Sequence, residues 1–370
     1  MFARPDISER TAVSAFTPKR TAAAMAFIGA AGLLLSACAP APEEGDAGAE
    51  STDFLACAVS DEGSWNDKSF NEAAYQGLLD AESELGIEIA DAESASNEDF
   101  TPNLTQMVEA GCDVTFAVGF NFSINDVIFD VADDNPEARF VWIDGWNQGQ
   151  ENLKPITYAM QESSFLAGYL AAAYSTTKTI GTYGGDDIES VTSFMTGYYN
   201  GAKYYEQETG TPITIVGWDP ATGTGDFVGD FSNTGVAKTF SEGQLAAGAD
   251  VLFPVAGTLF TATAEAIREA GTGVMLGVDK DIAVTQPELA DITLTSVEKR
   301  MTQPVLDVIT AIIESDEFTA EPYVGTLEND GTALSGFGDF DSEIPQELKD
   351  KLDELKQAII DGTIDPLAGA

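Results

Sequence analysis

The chain of 370 residues contains no histidine. The commonest general base and the commonest neutral metal ligand are therefore missing, and Ser-His-Asp and Cys-His catalysis are excluded. Positive charge is scarce as well: 17 Lys and Arg face 62 Asp and Glu, a formal net charge of −45. Such a chain repels nucleic acid, anionic lipid and anionic solutes over roughly 8–10 Å. No nucleic-acid partner is expected, and an anionic ligand needs a dedicated cationic pocket. Cysteine is rare, with three in all. The Gly-rich run Thr222–Gly229 lacks both the Lys-Ser/Thr of a P-loop and G-x-G-x-x-G spacing, which argues against a phosphate cradle. No clustered Asp motif suggests a metal, and no cofactor is expected. Carboxylate chemistry, such as that of a nucleosidase, is the enzyme class these absences leave open.

The one conspicuous apolar run is TAAAMAFIGAAGLLL, residues 21–35, preceded by Lys19-Arg20 and followed by Leu35-Ser36-Ala37-Cys38. At about 15 residues it is too short to span a bilayer as a helix, and its flanks are those of a secretion signal. Leu-Ser-Ala-Cys resembles the bacterial lipobox, which implies that Cys38 becomes the lipidated first residue and anchors the chain to the outer face of the membrane. Residues 1–37 read as signal peptide and 38–52 as a disordered tether rich in Pro, Ala, Glu and Gly. Residues 1–37 hold four basic side chains (Arg4, Arg10, Lys19, Arg20) and two acidic ones (Asp6, Glu9), so their removal takes the net charge from −45 to −47. Export permits a disulfide between Cys57 and Cys112; the alternative is two small buried apolar side chains.

From Asp53 the chain alternates short apolar runs with amphipathic stretches. Strands are expected at Phe54–Val59, Ile87–Ala90, Val114–Val118 and Phe140–Ile143, separated by helices at 69–85, 100–110 and 124–134. A second set repeats the pattern, with strands at Ile180–Tyr183, Ile213–Val216, Val251–Phe253, Val274–Val278 and Ile292–Thr295. Its helices are expected at 190–208, 234–247, 261–270 and 297–313, and a last helix at 345–360. The fold class is α/β, two doubly wound parallel-sheet lobes. The expected division is 53–160 with about 297–325 in the N-terminal lobe, and 161–296 with about 326–370 in the C-terminal lobe. Hinges are expected near Tyr158–Glu162 and Thr293–Val297.

Ligands of open parallel sheets bind beyond the carboxyl ends of the strands. The residues there are Ser60–Asn71, Gly119–Phe122, Asp144–Trp146, Gly184-Gly185, Asp230–Asn233, Ala256-Gly257 and Asp279. Aromatics and carboxylates or carboxamides recur among them, which suits a small neutral, polyhydroxylated ligand.

Four elements, in order along the chain, resemble the basic membrane protein (Bmp/PnrA-like) family of nucleoside-binding lipoproteins. They are Trp65-Asn-Asp-Lys-Ser-Phe-Asn71, Ser164-Phe-Leu-Ala-Gly168, Ala247-Gly-Ala-Asp-Val-Leu-Phe253 with Ala256-Gly257, and Gly277-Val-Asp279 with Thr295-Ser-Val-Glu-Lys-Arg300. The resemblance implies a type I periplasmic-binding-protein fold, a monomer, and service to an ABC permease as a nucleoside importer. It implies Phe70 and Phe231 (or its rival Phe227) flanking a nucleobase, Asp67 and Asn71 lining the first-lobe side, and Asp144 on the base. It further implies Asp279 and Lys299 on ribose hydroxyls, and Gly257 giving the backbone close approach. Each residue has a plain structural alternative. Asp67, Asn71, Asp144 and Asp279 suit turns and caps, Phe70 and Phe231 suit packing, and Lys299 suits an exposed helix start. Trp65, Phe120, Phe122 and Trp146 are best read as packing under loops. A sugar or polyol binder of the same fold, and a sensor that passes occupancy to a membrane partner, are the other binding classes.

Overall fold

In a computed structural model, residues 53–368 are described. Cys38, the expected signal peptide and the expected tether lie outside them. The first half forms strands β1 (Leu55–Glu62), β2 (Glu88–Ser94), β3 (Val114–Val118), β4 (Phe140–Ile143) and β5 (Leu153–Tyr158). Between these strands run helices α1 (Phe70–Leu85), α2 (Phe100–Ala110) and α3 (Val127–Asp134). The second half begins with α4 (Met160–Tyr174), β6 (Thr179–Gly184), α5 (Glu189–Thr209) and β7 (Thr214–Val216). A small hairpin follows, β8 (Trp218–Asp219) and β9 (Thr224–Gly225). Then come α6 (Thr234–Ala246), β10 (Val251–Val255), α7 (Phe260–Ala270), β11 (Val274–Asp279), α8 (Ile282–Thr285) and β12 (Thr293–Lys299). The chain closes with α9 (Thr302–Ser315), β13 (Tyr323–Gly325), β14 (Thr332–Leu334) and α10 (Gln346–Ile360).

Two six-stranded sheets result, ordered β2-β1-β3-β4-β5-β13 and β7-β6-β10-β11-β12-β14. All their pairings are parallel except β12 with β14. Central strands such as β3, β4 and β10 are buried along their whole length. They read as nearly continuous apolar runs, broken only by Thr115 in β3, because helices cover both faces. In each sheet the order reverses beside the first strand, between β1 and β3 and between β6 and β10, where the chain leaves a crevice beyond the strand ends.

The chain crosses between the sheets three times: from β5 to α4, from β12 to α9, and from β13 to β14. The helix expected from Val297 begins instead at Thr302. Val297, Glu298 and Lys299 are a strand, paired on one side with Val278 and Asp279 and on the other with Leu334, Ala333 and Thr332. The second crossing therefore falls at Arg300–Met301, beyond the expected Thr293–Val297. Cys57 in β1 and Cys112 just before β3 form a disulfide, with Cα atoms 5.9 Å apart, tying neighbouring strands of the first sheet.

Candidate functional site

The start of α1 carries an unusual division of labour. Ser69 occupies the N-cap position, but its hydroxyl makes no capping bond. Asp67 supplies it: its carboxylate accepts from the backbone N–H groups of Ser69, Asn71 and Glu72 at 2.8–3.0 Å. A carboxylate against the positive helix end is a favourable cap. Ser69 is thereby free to donate across the cleft to Asp279 Oδ2, at 2.8 Å. Glu72, one turn in, accepts from Lys280 of the second sheet at 2.7 Å and from Lys68 at 3.0 Å.

The third link between lobes is an ion pair. Lys299, at the end of β12, pairs with Asp144, at the end of β4, at 2.6 Å; their side chains are 3% and 10% exposed. Three rings surround the Lys299 ammonium: Phe70 at 5.1 Å, Phe194 at 5.4 Å and Tyr158 at 5.6 Å. The geometry is that of cation–π attraction in a largely dry site. Asp279 is buried. Asp144 and Asp279 both sit in left-handed backbone, with φ of 61° and 67°, and Lys68 joins them at 61°. Non-glycine residues adopt this conformation at a cost of order 1–3 kcal/mol, and such strain collects at binding sites.

The electrostatics follow from one buried cation among several acids. Burial pushes the Asp279 carboxyl up to about 6, against the opposing pull of Lys299 and of the Ser69 hydrogen bond. Asp61, at the end of β1, goes further, to about 8. Burial is the main cause; the backbone N–H of Asn121 opposes it, and the charges of Glu62, Asp144 and Asp67 add to it. The Asp61 carboxylate fills the place a Cβ would take at Gly119, 2.0 Å from Oδ2, so Gly119 (φ 118°) is required at the end of β3. Asp61 thus stands at the β1/β3 switch point with its proton retained near neutrality. It was not singled out from the sequence, although it lies in the run after the first strand; its strand-end position was the available signal. Glu72, Lys280 and Phe194 also emerge only from the structure, and although Ser69 lies in the Trp65–Asn71 motif and Tyr158 at an expected hinge, their contacts at the site appear only here.

On the second lobe, Phe231 lies over Gly185 and near Gly257, at the ends of β6 and β10, and is 39% exposed. Gly257 takes φ 52°. Phe227 turns the other way, edge-on to Trp218 at 5.7 Å and against Gly184. Asn71 is buried, and its Oδ1 has no hydrogen-bond partner among the described residues. Trp65 stacks on Tyr75 and donates to Asp91. Phe122 is wholly buried. Phe120 and Trp146 join Trp142 and Phe129 in an aromatic cluster. Trp65, Phe120 and Phe122 thus pack against neighbouring rings, as expected, whereas Trp146 packs on one side and remains 40% exposed.

The structure therefore gathers Phe70, Asp144, Asp279 and Lys299 where the two lobes meet, while Asp67 caps the helix that carries Phe70 and Phe231 and Gly257 lie together at the strand ends of the second lobe. Acids outnumber cations there, and Lys299, the one buried cation among the described residues, is already paired with Asp144. Among the described residues no group of three or more Cys, Asp or Glu is placed to hold a metal ion, and no helix is long and apolar enough to cross a membrane.

Residues 54–320 match the family described as ABC transporter substrate-binding protein PnrA-like. The ABC transporter nucleoside-binding protein BmpA of Lactococcus lactis is 29% identical over 363 residues, 94% of this chain and 98% of that protein. Basic membrane protein A of Borreliella burgdorferi is 30% identical over 309 residues, covering 82% and 85%. An ABC transporter solute-binding protein of Aeropyrum pernix superposes with a TM-score of 0.73 at 24% identity, over 84% of this chain and 92% of that one; that likeness is one of fold. Sequence motifs, doubly wound lobes and the polar contacts between them agree, and the chain belongs to the Bmp (PnrA-like) family of extracytoplasmic ABC transporter substrate-binding proteins, whose work implies a small ligand and a permease partner.

Proposed function

We propose that the chain captures a nucleoside between its lobes, tethered by lipid on Cys38, and delivers it to its permease. The observation that carries the reading is the buried Asp279 carboxylate, drawn on by the charge of Lys299, the one buried cation among the described residues, with the Phe70 ring against that ammonium; in this reading Phe231, over Gly185 at the end of β6, takes the other side of the ligand. A carboxylate accepts two hydrogen bonds from a vicinal diol, and charge-assisted bonds are the stronger kind. Phe70 and Phe231 offer the faces on which a base stacks, worth roughly 1–3 kcal/mol per stack. Asp61, protonated, and Asp144 supply a donor and an acceptor for base edges. The nucleoside-binding relative from Lactococcus supports the same reading.

Titration calorimetry against nucleosides, free bases, monosaccharides and nucleotides tests it. Nucleosides are expected to bind and nucleotides to be rejected by the acidic cleft. Asp279→Ala is expected to weaken binding by roughly 30- to 1,000-fold, the loss of charge-assisted bonds worth about 2–4 kcal/mol. Sugar binding without nucleoside binding would replace the ligand by a polyol. For the anchor, the exported protein's N-terminal peptide is expected to carry a diacylglyceryl mass at Cys38, and Cys38→Ala to release the protein from the membrane.

A further inference from the structure

Tyr158 ends β5 at the first crossing between lobes. Its ring packs against apolar side chains of both lobes. It lies so close over Gly325 that a Cβ there would stand 2.3 Å from it, and it meets Tyr323 edge-on at 6.3 Å. Phenylalanine would serve all of that packing. The hydroxyl serves none of it: it is buried and has no hydrogen-bond partner among the described residues. A buried hydroxyl without a partner costs about 1–3 kcal/mol, and native proteins keep few of them. This one belongs to a ring 5.6 Å from the Lys299 ammonium, in the same cage as Phe70 and Phe194. Burial and the Asp144 charge hold its phenol well above the ordinary value. It therefore stays neutral and keeps a proton to donate.

We infer that the Tyr158 hydroxyl is a specificity-determining contact of the cleft, completed by a hydroxyl on the sugar moiety of the ligand beside Lys299. The placement at the crossing matters. A ligand group bonded here touches the segment that both lobes share, so it reads the ligand and the closed state together. This inference rests on the nucleoside reading of the cleft.

The test compares wild type and Tyr158→Phe with a ribonucleoside that the wild type binds and with its 2′-, 3′- and 5′-deoxy analogues. Tyr158→Phe is expected to weaken the parent nucleoside about 5- to 30-fold, the range of one lost hydrogen bond in a buried site. One of the three analogues is expected to bind wild type and variant equally, because its missing hydroxyl is the partner. The ligand-free variant is expected to melt at the same temperature as wild type or above it, since an unpaired polar group has been removed. Equal affinity of both proteins for the parent nucleoside overturns the inference. So does an equal loss for all three analogues, which would make the ring's position the cause. If wild type binds no nucleoside at all, the nucleoside reading itself fails and this inference falls with it, a result visible before the variant is made.

Discussion

Asp61 is the residue whose chemistry departs furthest from its type. Its carboxyl lies against Gly119 and faces Glu62, Asp67 and Asp144, with the backbone N–H of Asn121 as its hydrogen-bond donor at 3.5 Å. Its ordinary value of 3.8 is pushed up to about 8 in the folded chain. Between those values the folded state holds a proton that the unfolded chain has released. Stability from this group is full below about pH 4 and declines as pH rises to about 8, by at most about 1.4 kcal/mol per pH unit. Asp279, raised to about 6, adds the same sign over the lower half of the window. Glu72 acts oppositely. Burial alone would raise it, but hydrogen bonds from Lys280 and Lys68 outweigh burial and hold it below the usual range, so its contribution is lost only as pH falls into the acid range. Asp61→Asn removes the first effect alone. Chemical denaturation at pH 5, 6.5 and 8 is expected to show wild type losing stability across the series and the variant losing less, with the largest gain at pH 8. Parallel slopes would show that Asp61 is ionised throughout.

At the scale of elements, the start of α1 acts as one tooth of the clamp. Asp67 caps it, Phe70 faces Lys299, Ser69 reaches Asp279, and Glu72 takes Lys280. The Glu72–Lys280 pair joins the lobes without occupying the cleft centre, and both side chains are 22% exposed. A pair of that exposure is worth at most about 1 kcal/mol, and it must break before the lobes part. Lys280→Met is therefore expected to raise the ligand dissociation rate about 3- to 5-fold while leaving the association rate nearly unchanged, read by stopped-flow tryptophan fluorescence. A slower association instead would place the pair on the entry path. The same scale shows what the sequence alone can reveal. β3, β4 and α2 end where their apolar runs and Gly111 and Gly119 end, and the strand-end rule leads directly to Asp144, Gly257 and Asp279. β5 is hidden, because Lys154-Pro155 interrupts its apolar run, and proline argues locally against a strand. The end of β12 is hidden too: Val297-Glu298-Lys299 suits a helix locally, and only pairing with β11 and β14 makes it strand. Partnerships between lobes, such as Ser69 with Asp279 over a separation of 210 residues, leave no local trace at all.

Across the whole molecule the scarcity of cations becomes a physical constraint. Every Lys and Arg of residues 53–368 is engaged: Lys154 and Lys178 donate to backbone carbonyls, and each of the others meets a carboxylate. The remaining acids have no cation left to meet, and their mutual repulsion opposes the compact state. Salt relieves it, since the screening length shrinks from about 10 Å at 0.1 M to about 3 Å at 1 M. Salt also weakens the exposed pairs, but those contribute little individually, while the buried Lys299–Asp144 pair is largely shielded from it. Repulsion should therefore decide the sign, and the melting temperature is expected to rise by several degrees from about 0.05 to about 1 M NaCl, most steeply at the low end where the screening length changes fastest. Sodium sulfate would strengthen apolar burial as well and keep raising stability at high concentration, and sucrose would raise it without screening. Sodium chloride against choline chloride at equal ionic strength separates these effects: screening predicts coincident curves that flatten once the Debye length falls below the spacing of surface carboxylates. A melting temperature that stays flat or falls over the first few hundred millimolar would mean that the ion pairs, sparse as they are, outweigh the repulsion of the acids around them.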